Sequence, residues 1–165
     1  MRTLVLLFGV ALPLGCGAKA AQSLPDDPEQ LVIYSIDGPY YVEHEGMIPP
    51  EKQKDALHGY PVLGKVVVAD REKRRAVVRA LKDASTAKTK PATKFNPRHA
   101  IGILHAGQSI ELLISFQYQN YLGYREYKPL SESPKFISQQ PEALLDELLT
   151  EAGVPLAPRV KHESD

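Results

Sequence analysis

The chain has one cysteine and no tryptophan, and beyond its first sixteen residues no apolar run long enough to span a bilayer. A lone thiol has no internal partner, so the folded part is held by core packing without disulfides. The chemistry-bearing motifs that sequence patterns reveal are also missing. There is no Cys-x-x-Cys, no histidine pair at the spacing of a zinc protease, no phosphate loop and no Gly-x-Ser-x-Gly elbow. No catalytic residue, metal ligand or cofactor is therefore assigned. Charge of one sign is missing too. Lysine and arginine together number 20, as do aspartate and glutamate, a balance that gives no footing for nucleic-acid binding.

What is present begins at the N-terminus. Arg2 supplies one positive charge, and Leu4 to Leu14 is apolar apart from Gly9 and Pro13. A short cation, an apolar run of about ten residues and small residues after it predict an export signal over 1–15 rather than a membrane span. Two cleavage sites compete. Leu14-Gly15-Cys16 reads as a lipobox, although Pro13 stands where such boxes usually carry leucine. Cys16 is then lipidated and anchors the protein to the membrane of a bacterial cell envelope. Alternatively, Ala18-Lys19-Ala20 directs a cut before Ala21, which releases a soluble exported or periplasmic product.

The rest divides into a small, polar, acidic segment over 16–30, expected to be a flexible tether, one domain over 31–158, and a polar tail over 159–165. The domain is large enough for one core. Leu31–Ile36 and Val62–Ala69 read as strands, Arg98–Leu104 and Ser109–Tyr118 as a strand pair joined at His105-Ala106-Gly107-Gln108, and a further short strand fits near Gly123–Tyr127. Tyr40–Asp55 has no clean period and reads as a loop. Asp70 caps an amphipathic helix over Arg71–Ala84. A second helix opens at Gln140-Pro141-Glu142 and stops at Gly153 before Pro155. The expected fold is α+β in two layers, an antiparallel sheet of four to five strands covered by two helices.

Four segments carry a resemblance: His58-Gly59-Tyr60-Pro61-Val62-Leu63-Gly64-Lys65, Phe95-Asn96-Pro97-Arg98-His99-Ala100, Glu111 to Phe116, and Glu151-Ala152-Gly153-Val154-Pro155-Leu156-Ala157-Pro158. In this order they resemble an uncharacterised family of small exported bacterial proteins, many of them lipoproteins, over Leu31 to Pro158. The resemblance implies a fold and a location, with no established activity. Family members often carry cysteines where this chain has Lys94, Ser115 and Tyr118, and a glutamate where it has Gln117. Thiol chemistry at those places is excluded here.

The candidate ligand-binding residues follow. Arg98 suits bidentate capture of a carboxylate or phosphate, and His99 suits metal binding or proton transfer; the competing reading is a buried ion pair and a hydrogen-bonded histidine. His58 is a third candidate, and His44 and His105 complete the set a fold would have to gather. Tyr118, Tyr121, Tyr124 and Tyr127 recur every three residues and offer rings for a sugar or a partner protein. Arg71, Arg74, Arg75 and Arg79 form a basic helix face that is either solvated or drawn to an anionic surface. Together these features predict an exported, lipid-anchored envelope protein that binds an envelope protein or small ligand, with the membrane as a partner through Cys16. The alternative is an envelope hydrolase or metal-dependent enzyme using Arg98 and His99.

Overall fold

The computed structural model describes residues 21, 24–39, 49, 53, 55–86 and 89–159. The expected signal, Cys16, both expected cleavage sites, His44 and most of the loop expected over Tyr40–Asp55 lie outside the described residues. In chain order the elements are β1 (Gln30–Ile36), β2 (Ala56–Leu57), β3 (Tyr60–Val67), α1 (Arg71–Ala84), β4 (His99–His105), β5 (Gln108–Ser115), β6 (Asn120–Arg125), β7 (Lys128–Pro129), β8 (Lys135–Phe136) and α2 (Glu142–Glu151). The strands form one antiparallel sheet in the order β2-β3-β1-β4-β5-β6-β7, with β8 pairing β6.

The α+β class and the antiparallel sheet with two helices match the expectation. The sheet is larger than the four to five strands expected, because β2, β7 and β8 are each two residues long. Strands that short show no period-two pattern; β2 and β7 sit across two-residue turns from longer strands, and β8 pairs with the start of β6. β5 also ends at Ser115, short of the expected Tyr118: the chain turns at Phe116–Gln119, where the Gln119 amide donates to the Phe116 carbonyl at 3.1 Å.

Alternation along the strands separates two faces. Leu31 and Ile33 of β1 pair in register with Ile103 and Ile101 of β4, which pair with Ile110 and Leu112 of β5. These side chains meet Val77, Val78, Leu81 and Ala84 of α1 and Leu145, Leu148 and Leu149 of α2 in the main core. Each of these valine, leucine and isoleucine side chains contributes about 1.5–3 kcal/mol by leaving water. The opposite, open face carries a smaller cluster of Ile36, Ala100 and Leu113 with Tyr34, Leu57, Tyr60, Val62, Phe95 and Tyr124 packed against it.

The helix ends follow from the sequence. The Asp70 carboxylate accepts from the Lys73 amide at 2.7 Å, which fixes the start of α1. α2 ends on a left-handed Gly153 (φ 71°). The Gly153 amide donates to the Thr150 carbonyl and the Val154 amide to the Leu149 carbonyl, both at 2.9 Å.

Part of the segment expected to be a flexible tether is instead docked on the domain. Ala21 and Leu24 are buried in the main core, and the Ala21 amide donates to the Tyr121 hydroxyl at 3.1 Å. Asp27 bridges Arg71 and Arg75, while Asp26 pairs with Lys82 at 2.5 Å. Arg74 donates to the Pro28, Val68 and Ala69 carbonyls. The basic face of α1 is thus largely occupied by the chain's own acidic strap. The Asp27 carboxyl lies well below the usual carboxylate range through its hydrogen bonds to Arg71 and Arg75, and the same bond to Asp27 raises the Arg71 guanidinium. At the other end, Arg159 pairs with Glu142 at 3.0 Å, and 160–165 lie outside the described residues.

Candidate functional site

Two hairpin turns bring the most unusual side chains of the molecule together on the open face. In the β2–β3 hairpin Leu57 pairs with Tyr60, leaving His58 and Gly59 as a two-residue turn with φ 49° and 85°. Two left-handed residues give the turn a twist that matches the flanking strands. Glycine adopts this conformation freely, and histidine is among the few other residues enriched there. In the β6–β7 hairpin Arg125 pairs with Lys128, and the turn residues are Glu126 (φ 47°) and Tyr127 (φ 62°). A bulky aromatic residue in this region is a strained choice, and such strain concentrates at functional sites. Glu126 pins the second turn by accepting from the Ser109 amide at 2.7 Å.

His58 Nε2 lies 2.7 Å from Glu111 Oε2, and the two side chains are 10% and 14% exposed. A carboxylate only accepts, so the pair assigns the Nε2 proton to His58. The imidazole stacks on Tyr124 at a centroid distance of 3.6 Å and 15° between planes. Tyr127, 76% exposed, stands 6.4 Å from the same ring. Tyr34 completes the group from β1, its ring lying across Gly102, where an added Cβ would meet the ring at 3.3 Å. Burial pushes the Tyr34 hydroxyl above its ordinary pKa, and the charge of Glu111 adds to this. Burial does the same to Tyr124. Both phenols therefore remain neutral donors well past neutral pH. The ensemble is a hydrogen-bonded imidazole–carboxylate pair set among three tyrosines, suited to hold a ligand by ring contacts and a few directed hydrogen bonds.

Arg98 and His99 belong to the other side of the sheet. His99 shares its face with Ile101 and Ile103 and is fully enclosed; its Nε2 lies 2.7 Å from Asp146 Oδ1 on α2, and its ring meets Phe116 edge-on at 5.4 Å. Arg98 donates from Nε and Nη2 to the Ala157 carbonyl at 2.8 and 2.6 Å, and from Nη1 to Glu142 at 2.9 Å. Burial pushes the Arg98 guanidinium down, while the charges of Asp146 and Glu142 oppose that. The two residues clamp α2 and the following segment onto the sheet. They do not converge with His58.

The tyrosine series is dispersed. Tyr121 is fully buried in the main core, Tyr124 and Tyr127 flank His58, and Tyr118 sits in a separate cleft beside Phe136. His105 is exposed at the end of β4. Among the described residues no group of three or more His, Cys, Asp or Glu side chains could hold a metal ion, and no helix is long and apolar enough to cross a membrane. Sequence reasoning assigned Glu111 no role, and it missed Tyr34. The available signals were a single charge in the middle of an apolar strand and a glycine, Gly102, in the strand beside it. No family model, curated protein or solved structure matches the chain.

Proposed function

We propose that this is an exported protein, lipid-anchored at Cys16 in a bacterial cell envelope, whose domain binds an envelope protein or small ligand through the open face of its sheet. The signal and lipobox read from 1–16 support the location, as does the resemblance to small exported bacterial proteins. The observation that carries the binding role is the convergence of His58 and Tyr127, two left-handed turn residues from separate hairpins, over Tyr124 and the Glu111 carboxylate. The main core lies on the other face, so the core alone does not call for this arrangement. The alternative of a hydrolase or metal-dependent enzyme using Arg98 and His99 draws no support from the geometry, since both side chains are enclosed and engaged by α2 and its C-terminal extension.

Titration with soluble cell-envelope fragments, followed by nuclear magnetic resonance, tests the binding role. Shifts are expected to cluster at Tyr34, His58, Glu111, Tyr124 and Tyr127, and to vanish in Tyr127→Ala, which removes an exposed ring without opening the core. Shifts confined to other surfaces would reject this site. The anchor is tested by the intact mass of the protein recovered from membranes. An acylated N-terminus at Cys16 that disappears in Cys16→Ala is expected, whereas a product beginning at Ala21 in both would replace the anchored form with a soluble one.

A further inference from the structure

Among the described residues β3 has a full partner on one side only. Val62 and Gly64 to Val67 pair with β1, while β2 reaches Tyr60 and Pro61. Among the described residues no strand pairs with the outer edge of Leu63–Val67. A β-bulge shapes this edge. Ile36 pairs with Val62 and Ser35 with Gly64, so Leu63 has no counterpart on β1. Lys65 pairs with Tyr34 and Val67 with Val32, which places both on the open face; the bulge brings Leu63 to that side as well. Leu63 is 37% exposed and Val67 53%, two of the few large apolar side chains so open to water. Lys65 is exposed between them and makes no ion pair with another described residue.

A cleft flanks this edge on each face of the sheet. One, of about 380 Å³, is lined by Tyr34, Leu57, Val62 and Lys65 on the open side. The other, of about 300 Å³, is lined by Val66, Lys73, Leu148 and Glu151 where the helices begin to cover the strand. An added strand alternates its side chains between two faces, so it would place them in both clefts while its backbone bonds the free edge.

We propose that the β3 edge takes up an extended segment of a partner protein by strand addition, the segment carrying an acidic residue opposite Lys65 with apolar residues two positions to either side. Charge decides against a second copy of this chain as the occupant. In the antiparallel register that sets Leu63 against Val67 of the other copy, Lys65 faces Lys65, and like charges directly opposite are destabilising. Lysine on an exposed edge is a common guard against self-pairing. The same lysine complements a carboxylate. This surface adjoins the His58 cluster through Tyr34, which lines the open-side cleft, but Lys65 and the β3 edge lie outside that cluster, so the Lys65-dependent preference and the Tyr127-dependent shifts can fail independently.

The test uses the full chain and two nine-residue peptides of alternating valine and threonine, one with a central glutamate and one with a central lysine. Binding is read by fluorescence anisotropy. The glutamate peptide is expected to bind about fivefold or more tightly than the lysine peptide, as a favourable exposed ion pair replaces a repulsive one. Lys65→Glu should invert the preference and Lys65→Ala should abolish it, both variants keeping the parent circular-dichroism spectrum because the side chain is exposed. N-methylation of alternate amides in the glutamate peptide should remove binding, since strand addition needs those donors. Equal binding of the two peptides, binding of neither, no response to Lys65→Glu, or indifference to N-methylation would each overturn the proposal. A concentration-dependent dimer of the unmodified chain that Val67→Arg dissolves would overturn it too, by giving the edge to a second copy.

Discussion

At the scale of single residues, Arg98 shows how a functional-looking motif becomes a structural clamp. Its guanidinium is 8% exposed and its partner Glu142 13%. Arg98→Ala would orphan the Ala157 carbonyl and leave Glu142 with only the mostly exposed Arg159. Breaking a buried pair in this way is expected to cost about 3 kcal/mol or more, read as a lower urea midpoint. Arg98→Lys should recover only part of that, because one ammonium cannot reproduce the fork that grips Ala157 and Glu142 together. Asp146 carries the acid sensitivity of the same clamp. Burial pushes its carboxyl up, but the hydrogen bond and charge of His99, with Arg98 and Arg159, outweigh burial and leave it below the ordinary value. The folded chain thus holds this carboxylate ionised where the unfolded chain takes up a proton. The resulting stability is present above about pH 4, the ordinary carboxylate pKa, and is lost as pH falls through the folded value. Asp146→Asn should be less stable at neutral pH and lose stability less steeply on acidification; an unchanged slope in an acid titration of unfolding would rule out this linkage. The sequence made Arg98 and His99 conspicuous but could not decide their role. That role is set by Glu142 and Asp146, which lie 44 and 47 residues further along the chain. Glu111 was hidden for the converse reason: its partner His58 arrives from a hairpin 53 residues earlier.

At the scale of elements, legibility followed length and capping. α1 was readable to the residue because Asp70 supplies its cap and Ala76, Val77, Ala80, Leu81 and Ala84 recur at helical spacing; of these, Val77, Leu81 and Ala84 are buried. β1, β3, β4 and β5 were readable because alternation survives over seven to eight residues, whereas β6, expected near Gly123–Tyr127, runs over Asn120–Arg125 because Glu126 and Tyr127 form the next turn. β2, β7 and β8 were not readable, since two residues carry no period; β2 and β7 depend on the left-handed turns at His58-Gly59 and Glu126-Tyr127, and β8 on a long-range pairing with the start of β6. The end of α2 was readable from Gly153, and it can be tested there. Nothing lies within 4 Å of a Cβ added at Gly153, so the effect of a substitution comes from backbone conformation alone. Gly153→Ala is expected to lower stability by about 1 kcal/mol, and Gly153→Asn by less, because asparagine tolerates the left-handed region better. Thermal unfolding of the two variants should rank in that order. The reverse ranking would mean that the bonds from Gly153 and Val154 to the last turn do not hold this end.

At the scale of the whole molecule, the docked N-terminal strap changes what a lipid on Cys16 would do. A free tether over 16–30 would let the domain range widely from the membrane. With Ala21 buried and bonded to Tyr121, and with Asp26 and Asp27 paired to α1, five peptide steps from Cys16 reach docked chain at Ala21. Even fully extended, that stretch covers at most about 18 Å. A lipidated chain would therefore hold its domain against the bilayer, the side where Ala21 meets Tyr121 nearest the surface, rather than at arm's length. The strap also gives the basic face of α1 internal partners, since the guanidinium groups of Arg71, Arg74 and Arg75 are taken up by Asp27 and by backbone carbonyls. Energy transfer measures the distance directly. A fluorophore on Arg79→Cys, exposed on α1, would report on acceptor lipids in vesicles that carry the lipidated protein. Inserting a flexible Gly/Ser segment of about 20 residues between Ala18 and Lys19 adds roughly 25 Å of root-mean-square reach. Transfer is expected to be strong in the parent and to fall clearly with the insertion, while the unfolding midpoint stays the same because the docked residues are untouched. Equal transfer in the two proteins would mean that the strap is undocked at the membrane and that the segment from Cys16 works as a long tether after all.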